Sequence, residues 1–203
     1  MTLPNSDFLQ TLLDESARRH QHLCPRQVLG IRLGLAGLRA LALLPDCGTP
    51  FQNADKRLLT IVETDGCGAD GLAVATACSV GRRTLRVLDF GKVAATLVDT
   101  HTGRAVRVHP SPASRQLAAS YAPDAPSQWH AYLFAYQLIP DEALVTTRPV
   151  RLTQSLAQLL SRPDARAQCA ACGEEIINER EVVVGGQTLC RHCAGEVYYE
   201  PLP

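Results

Sequence analysis

The chain has 203 residues, 46% of them hydrophobic, with 20 Lys and Arg against 20 Asp and Glu and a formal net charge of zero. That allows one domain of ordinary size with a real core, plus a small appendage. A balanced charge excludes the global basic field that gathers nucleic acid, so nucleic acid is not expected as a partner.

The first ten residues hold no basic segment ahead of an apolar run, so no signal peptide is expected. The longest apolar stretch, near residues 27–44, is broken by Arg32 and Arg39 and makes a poor membrane span. No membrane association is expected, and the default location is the cytoplasm. Eight cysteines in such a protein read as metal or catalytic thiols before disulfides.

In chain order, residues 6–19 predict an amphipathic helix with Phe8, Leu9, Leu12 and Leu13 on its apolar face. Next comes His20-Gln21-His22-Leu23-Cys24-Pro25. Proline is tolerated at the first position of a helix and keeps the residue before it out of the α region. Residues 20–24 are therefore predicted extended, with His20, His22 and Cys24 on one face and a helix starting at Pro25. Cys24 would stand at that helix's N-cap, where the dipole favours thiolate. The helix over 25–44 carries Val28, Ile31, Leu35, Leu38 and Ala42 as a buried stripe. Its Gly30, Gly34 and Gly37 favour close packing within the fold over a GxxxG dimer face. Cys47, in the following loop, has no assigned role.

Residues 57–63 predict a strand that runs into Thr64-Asp65-Gly66-Cys67-Gly68-Ala69-Asp70-Gly71 and a helix to about residue 79. Cys67 thus sits at a second helix N-terminus, where α/β proteins commonly hold their chemistry. Cys78 reads as packing. Residues 84–89, 93–99 and 105–109 predict three more strands, and the short links between them predict antiparallel neighbours. Residues 110–128 form a surface connection with a short helix in its middle, 127–138 a helix bearing Trp129, Tyr132 and Tyr136, and 143–152 an extended segment. The fold class is α+β: a mixed or antiparallel sheet covered by helices.

Cys169-x2-Cys172 and Cys190-x2-Cys193, separated by seventeen residues, are the strongest motif in the chain. Four thiolates at this spacing hold a tetrahedral Zn²⁺ and leave no open position, so the expected role is structural. A hairpin fits between the pairs, and metal binding should supply much of the folding energy. The expected domains are 1–163, the α+β domain, and 164–203, a small zinc-ribbon or treble-clef module.

Taken together these residues resemble the formylmethanofuran dehydrogenase E-subunit family and its stand-alone relatives. The matching pieces are His20-x-His22-x-Cys24-Pro25, Glu63-x-Asp65-x-Cys67-x-x-Asp70, Cys78-x-x-Gly81, Asp89-x-Gly91-Lys92, Thr102-Gly103 and Pro140-Asp141-Glu142, in the family's order over roughly residues 8–152. The tail is similar to the zinc finger of DksA/TraR regulators. Two positions depart from the pattern: the family often has glycine where this chain has Gln21 and Arg26. The first bears on hinge geometry; the second puts a cation at the mouth of the site.

The resemblance implies a homodimer, with the His-Cys stretch and the Asp-x-Cys turn facing one cleft. It also implies a link to one-carbon metabolism or to molybdenum/tungsten enzymes. On the metal-dependent reading, His22 and Cys67 are direct ligands, with His20 and Cys24 as further ligands or as groups behind them. Such a set suits Zn, Ni, Fe or Cu as a second metal. Asp65 or Asp70 would act as general base or orient a histidine, and Lys92 would bind an anion. Cys67, Asp65, Asp70 and Lys92 are thus the catalytic candidates. The alternatives are an accessory protein that delivers metal or a molybdenum/tungsten cofactor to an oxidoreductase partner, and a zinc-finger regulator. Turnover itself is left open.

Overall fold

The computed structural model describes residues 6–45, 48–162, 164–200 and 202. Cys47 lies outside them. The chain divides into two compact units, residues 1–152 and 153–203. No helix among the described residues is long and apolar enough to cross a membrane.

The first unit is a mixed α+β fold. Its elements are α1 (Ser6–His20), α2 (Pro25–Ala40), β1 (Leu58–Val62), α3 (Cys67–Thr76), β2 (Leu85–Val87), β3 (Ala95–Asp99), β4 (Ala105–Pro110), α4 (Ser114–Tyr121), α5 (Gln128–Leu138), α6 (Asp141–Leu144) and β5 (Val145–Val150). The strands form one sheet in the order β2-β1-β3-β4-β5. The β1–β3, β3–β4 and β4–β5 pairs are antiparallel, and β1–β2 is parallel.

That parallel pair corrects an expectation. The short link after β2 looked like a hairpin, yet β2 does not pair with β3. Helix α3 is the crossover that returns the chain parallel to β1, as a βαβ connection requires. Residues 88–94 then pass over the C-terminal end of β1. The Leu88 amide donates to Val62, and the Phe90 and Lys92 amides both donate to Glu63. The loop bearing Lys92 is thereby fixed beside the turn bearing Cys67.

Helix α2 is buried on nearly every side from Pro25 to Leu38, as an all-round apolar helix must be. It ends sooner than its periodicity predicts: Leu41 caps it, and Ala42, left-handed at φ 58°, is exposed rather than part of the stripe. Gly30 and Gly71 let α2 and α3 touch backbone to backbone. A Cβ on Gly30 would meet the Gly68 carbonyl oxygen at 2.3 Å, and one on Gly71 would meet that of Gln27 at 2.2 Å. The glycines serve packing inside the fold, and they bring the N-termini of the two helices side by side.

Residues 20–24 are not extended throughout. His20 is the last residue of α1, and Gln21 then takes a left-handed backbone with φ 67°, so the alternate-face argument fails there. Glycine suits this conformation, whereas a Cβ costs about 1–2 kcal/mol. Gln21→Gly is therefore expected to raise stability by about 0.5–1 kcal/mol, once the glycine's extra freedom in the unfolded chain is subtracted. A urea melt should show a higher midpoint at unchanged slope. A midpoint at or below wild type would mean that the Gln21 side chain, not its backbone, governs the turn.

Arg32 has no exposed surface, although in sequence it reads as a mere interruption of an apolar run. Its guanidinium donates to the Asp141 carboxylate at 3.0 and 2.7 Å and to the carbonyls of Tyr136, Gln137 and Ile139 at 2.7, 3.2 and 2.6 Å. All five donors are used. Arg39 adds a second ion pair to Asp141. These bonds tie α2 to the C-terminal end of α5 and to the short helix α6, which occupies the start of the segment expected to be extended.

The second unit holds α7 (Leu156–Leu160), β6 (Arg166–Gln168), β7 (Glu175–Ile177), β8 (Val182–Val184) and β9 (Gln187–Leu189). The β6–β7 and β8–β9 pairs are antiparallel hairpins. The two-residue turn of the second, Gly185-Gly186, has φ 58° and 80°, the positive angles such turns demand.

Candidate functional site

The N-cap of α2 is Cys24, extended at φ −130° and ψ 161°. Its amide donates to the Gln27 side chain at 2.7 Å, and Gln27 in turn donates to the Ser16 carbonyl and hydroxyl at 3.1 and 3.0 Å. Gln27 and Ser16 are fully buried, so the strand-like entry to α2 is fastened to α1. Cys67 is the first residue of α3, behind Gly66 at φ 80° and ψ −157°, a conformation that essentially only glycine adopts.

His20 joins the two helix ends. Its Nε2 lies 3.2 Å from Cys67 Sγ, and its Nδ1 lies 2.7 Å from Asp70 Oδ2. Asp70 thus fixes the ring and Cys67 meets its other face. His22 is exposed, its ring tilted against His20 at 4.8 Å between centroids. Of the two histidines, His20 is the one in contact with Cys67. Burial pushes the Cys67 thiol up from its ordinary value, and the neighbouring Cys24 thiol adds to this. The helix N-terminus does not win over desolvation at this thiol. Asp65 is exposed, and its side chain makes no hydrogen bond among the described residues.

Cys24 and Cys67 open onto a cleft of about 900 Å³. Its rim carries Arg26 and Lys92; its far wall carries Arg107, His109 and Arg115, with Trp129, Tyr132 and Tyr136 from α5. No carboxylate is among the described residues that line it. Arg107 is clamped by Glu63 at 2.6 and 2.7 Å, and this pair holds the Glu63 carboxyl below its usual range. The far wall is what sequence reading missed. The signals are there: Arg107 and His109 alternate with buried Val106 and Val108 along β4, and the aromatic residues recur at helical spacing. Cys78 is buried against the Thr60 hydroxyl at 3.4 Å, in a packing role.

The second unit holds the other cluster. The ligand atoms of Cys169, Cys172, Cys190 and Cys193 all lie within 4.8 Å of one another, the only such group of His, Cys, Asp or Glu found among the described residues. Four sulfurs about 3.8 Å apart are what a tetrahedral zinc with 2.3 Å bonds requires. The Cys172 and Cys190 sulfurs are 4.0 Å apart. Backbone amides of Cys172 and Cys190 pull the Cys169 thiol down to about 6, while the neighbouring Cys190 thiol and burial push Cys193 up to about 12. This crowding of sulfur is relieved by a dication.

Fold and sites together define an α+β domain with a thiol–imidazole cleft, followed by a C4 zinc-finger module that suits structural zinc. The chain belongs to the FmdE family, described as "Molybdenum formylmethanofuran dehydrogenase operon", which matches residues 19–148. Residues 163–199 match the prokaryotic dksA/traR C4-type zinc finger. An FmdE-like protein of tungsten formylmethanofuran dehydrogenase type from Syntrophus aciditrophicus shares the fold, with a TM-score of 0.62 over 98% of this chain and 100% of that one, at 20% identity. A probable S-adenosyl-L-methionine-binding protein from Archaeoglobus fulgidus is 35% identical over 106 residues. That match spans 52% of this chain and 28% of the relative's length.

Proposed function

We propose that the α+β domain is a metal-dependent protein whose second metal sits at the His20–Cys67 end of the cleft, in service of one-carbon or molybdenum/tungsten enzyme metabolism. The observation that carries this is the Cys67–His20–Asp70 line. Two donors on one tetrahedral ion stand about 3.5 Å apart, and His20 Nε2 and Cys67 Sγ are separated by 3.2 Å. A carboxylate on the other ring nitrogen is the usual partner of a metal-bound histidine. Cys24, on the same cleft wall, is the third donor.

Imidazole with thiolate suits Zn, Ni, Fe or Cu, and a metal so bound supplies Lewis acidity or redox chemistry. The chain's own residues do the rest. Asp70 keeps Nδ1 protonated and Nε2 free, Gln27 holds Cys24 in its extended cap, and Lys92 meets an anionic group of the bound molecule. A ring oriented in advance favours a resident metal over a passing one. The open rim at Arg26 and Lys92 supports the accessory reading, in which metal or cofactor leaves for an oxidoreductase.

Elemental analysis of protein purified without oxygen tests the metal. Wild type is expected to hold two metals per chain and Cys67→Ser one. A single zinc in both would overturn the cleft site. Metal retained through dialysis against a weak chelator supports the resident reading, and transfer to a metal-free oxidoreductase supports delivery.

A further inference from the structure

Net charge is zero over the whole chain, yet the cleft collects cations and no carboxylate among its described lining residues. Only Arg107 spends its charge on an acidic partner there. Arg26 and Lys92 make no ion pair among the described residues. Like charges gathered about one cavity repel, and a protein with as many acids as bases has no compositional reason to gather them. An anion in the cleft relieves that repulsion.

The opposite wall has different chemistry. Trp129, Tyr132 and Tyr136 occupy successive turns of α5, and the two tyrosine rings are parallel, 5.5 Å apart and 1° from coplanar orientation. Trp129 stays nearly half exposed. Flat apolar faces beside fixed cations bind planar rings that carry a charge. The volume, about 900 Å³, is that of a site for a cofactor-sized molecule.

We infer that this cleft binds an anionic, planar-ring molecule of mononucleotide size, a heterocyclic phosphate or carboxylate. Its anion is met by Arg26, Lys92 and Arg115, and its ring by Trp129 and Tyr132. The inference rests on the metal reading only for which part of the ligand meets Cys67.

Trp129 is the sole tryptophan of the chain, so its emission reads this site and no other. The full metal-loaded protein is titrated with flavin mononucleotide, guanosine monophosphate and pterin-6-carboxylate, each beside its uncharged counterpart: riboflavin, guanosine and pterin. Equilibrium dialysis gives affinities, and Trp129 emission gives location. At least one anion is expected to bind about tenfold or more tighter than its counterpart, with Trp129 quenched. Lys92→Ala and Arg26→Ala, both exposed and outside the core, are each expected to weaken it by about tenfold at unchanged circular dichroism. Tyr132→Leu should weaken anion and counterpart alike. The inference is overturned if no anion in the panel binds below about 1 mM, if counterparts bind as tightly, or if Lys92→Ala and Arg26→Ala both leave affinity unchanged. Metal content measured on the same samples separates the two readings. Anion binding without a second metal sinks the metal site alone; a second metal without anion binding sinks this inference alone.

Discussion

Arg32→Met is expected to destabilise the first unit by about 3–5 kcal/mol, the cost of breaking a buried ion pair from one side. The damage goes beyond one pair. Asp141 keeps Arg39, but loses the two bonds from Arg32. The carbonyls of Tyr136, Gln137 and Ile139 lose a charged donor where water does not reach Arg32. Methionine fills most of the volume and supplies none of these bonds. In a unit of this size the loss should lower Tm by about 10 °C or more. Calorimetry or a urea melt checks it.

The double variant Arg32→Met/Asp141→Leu should recover only part of the loss. Removing both charges ends the electrostatic conflict, but the three carbonyls stay unpaired. Full recovery would mean that the ion pair alone mattered; no loss in the single variant would refute the anchoring role of Arg32. The variant also bears on the cleft. The bonds from Arg32 hold the end of α5, whose other turns carry Trp129 and Tyr132. A folded Arg32→Met protein should therefore bind ring ligands more weakly without losing metal at His20 and Cys67.

How much of this was legible in the sequence depends on the range over which each feature is encoded. The helices at Ser6, Pro25 and Gln128 follow from local periodicity and caps, and so do β1, β3 and β4. The β3–β4 hairpin follows from its short turn. The pairing of β2 does not, because residues 88–94 are as short as a hairpin. What excludes the hairpin is α3 between β1 and β2, which makes the pair parallel and leaves β1 free to take β3 on its other side.

The same holds for the site. Cys24, Cys67 and Asp70 stand out by sequence because each sits at or near a helix start with glycine or proline beside it. Which histidine meets Cys67 was not legible. It is decided by one backbone angle, at Gln21, that turns the chain after His20 and breaks the expected alternation. Arg32 was misread for a physical reason: an arginine in an apolar helix usually marks a solvent face, and its partners at 136–141 lie a hundred residues on. The far wall of the cleft comes from β4, α4 and α5, and no local motif links these to the thiols.

Removing zinc should unfold the second unit and spare the first. The tail's buried apolar residues are few: Ile176 and Leu189 pack with Cys169, with Ala167 and Val182 partly covered. So small a cluster does not offset the conformational entropy of ordering some forty residues. Structural zinc supplies about 10–16 kcal/mol in modules of this kind at neutral pH, more than the cluster provides. The cysteines are built into the hairpins. Cys169 and Cys172 span the turn between β6 and β7, where the Gly173 amide donates back to the Cys169 carbonyl. The Cys190 amide, just past β9, donates to Cys169 Sγ at 3.3 Å. Losing any one sulfur therefore unties both hairpins. In Cys190→Ser, or after chelation, amide exchange should become fast across 166–193 and remain slow in β1, β3 and β4. A tail that keeps its protected amides without zinc would refute the metal as the source of its stability. A first unit that melts with it would show that the two units share their stability. Slow exchange in β1 and β3 beside a fully exchanged tail is the expected pattern, because every core contact of those strands is made within residues 1–152.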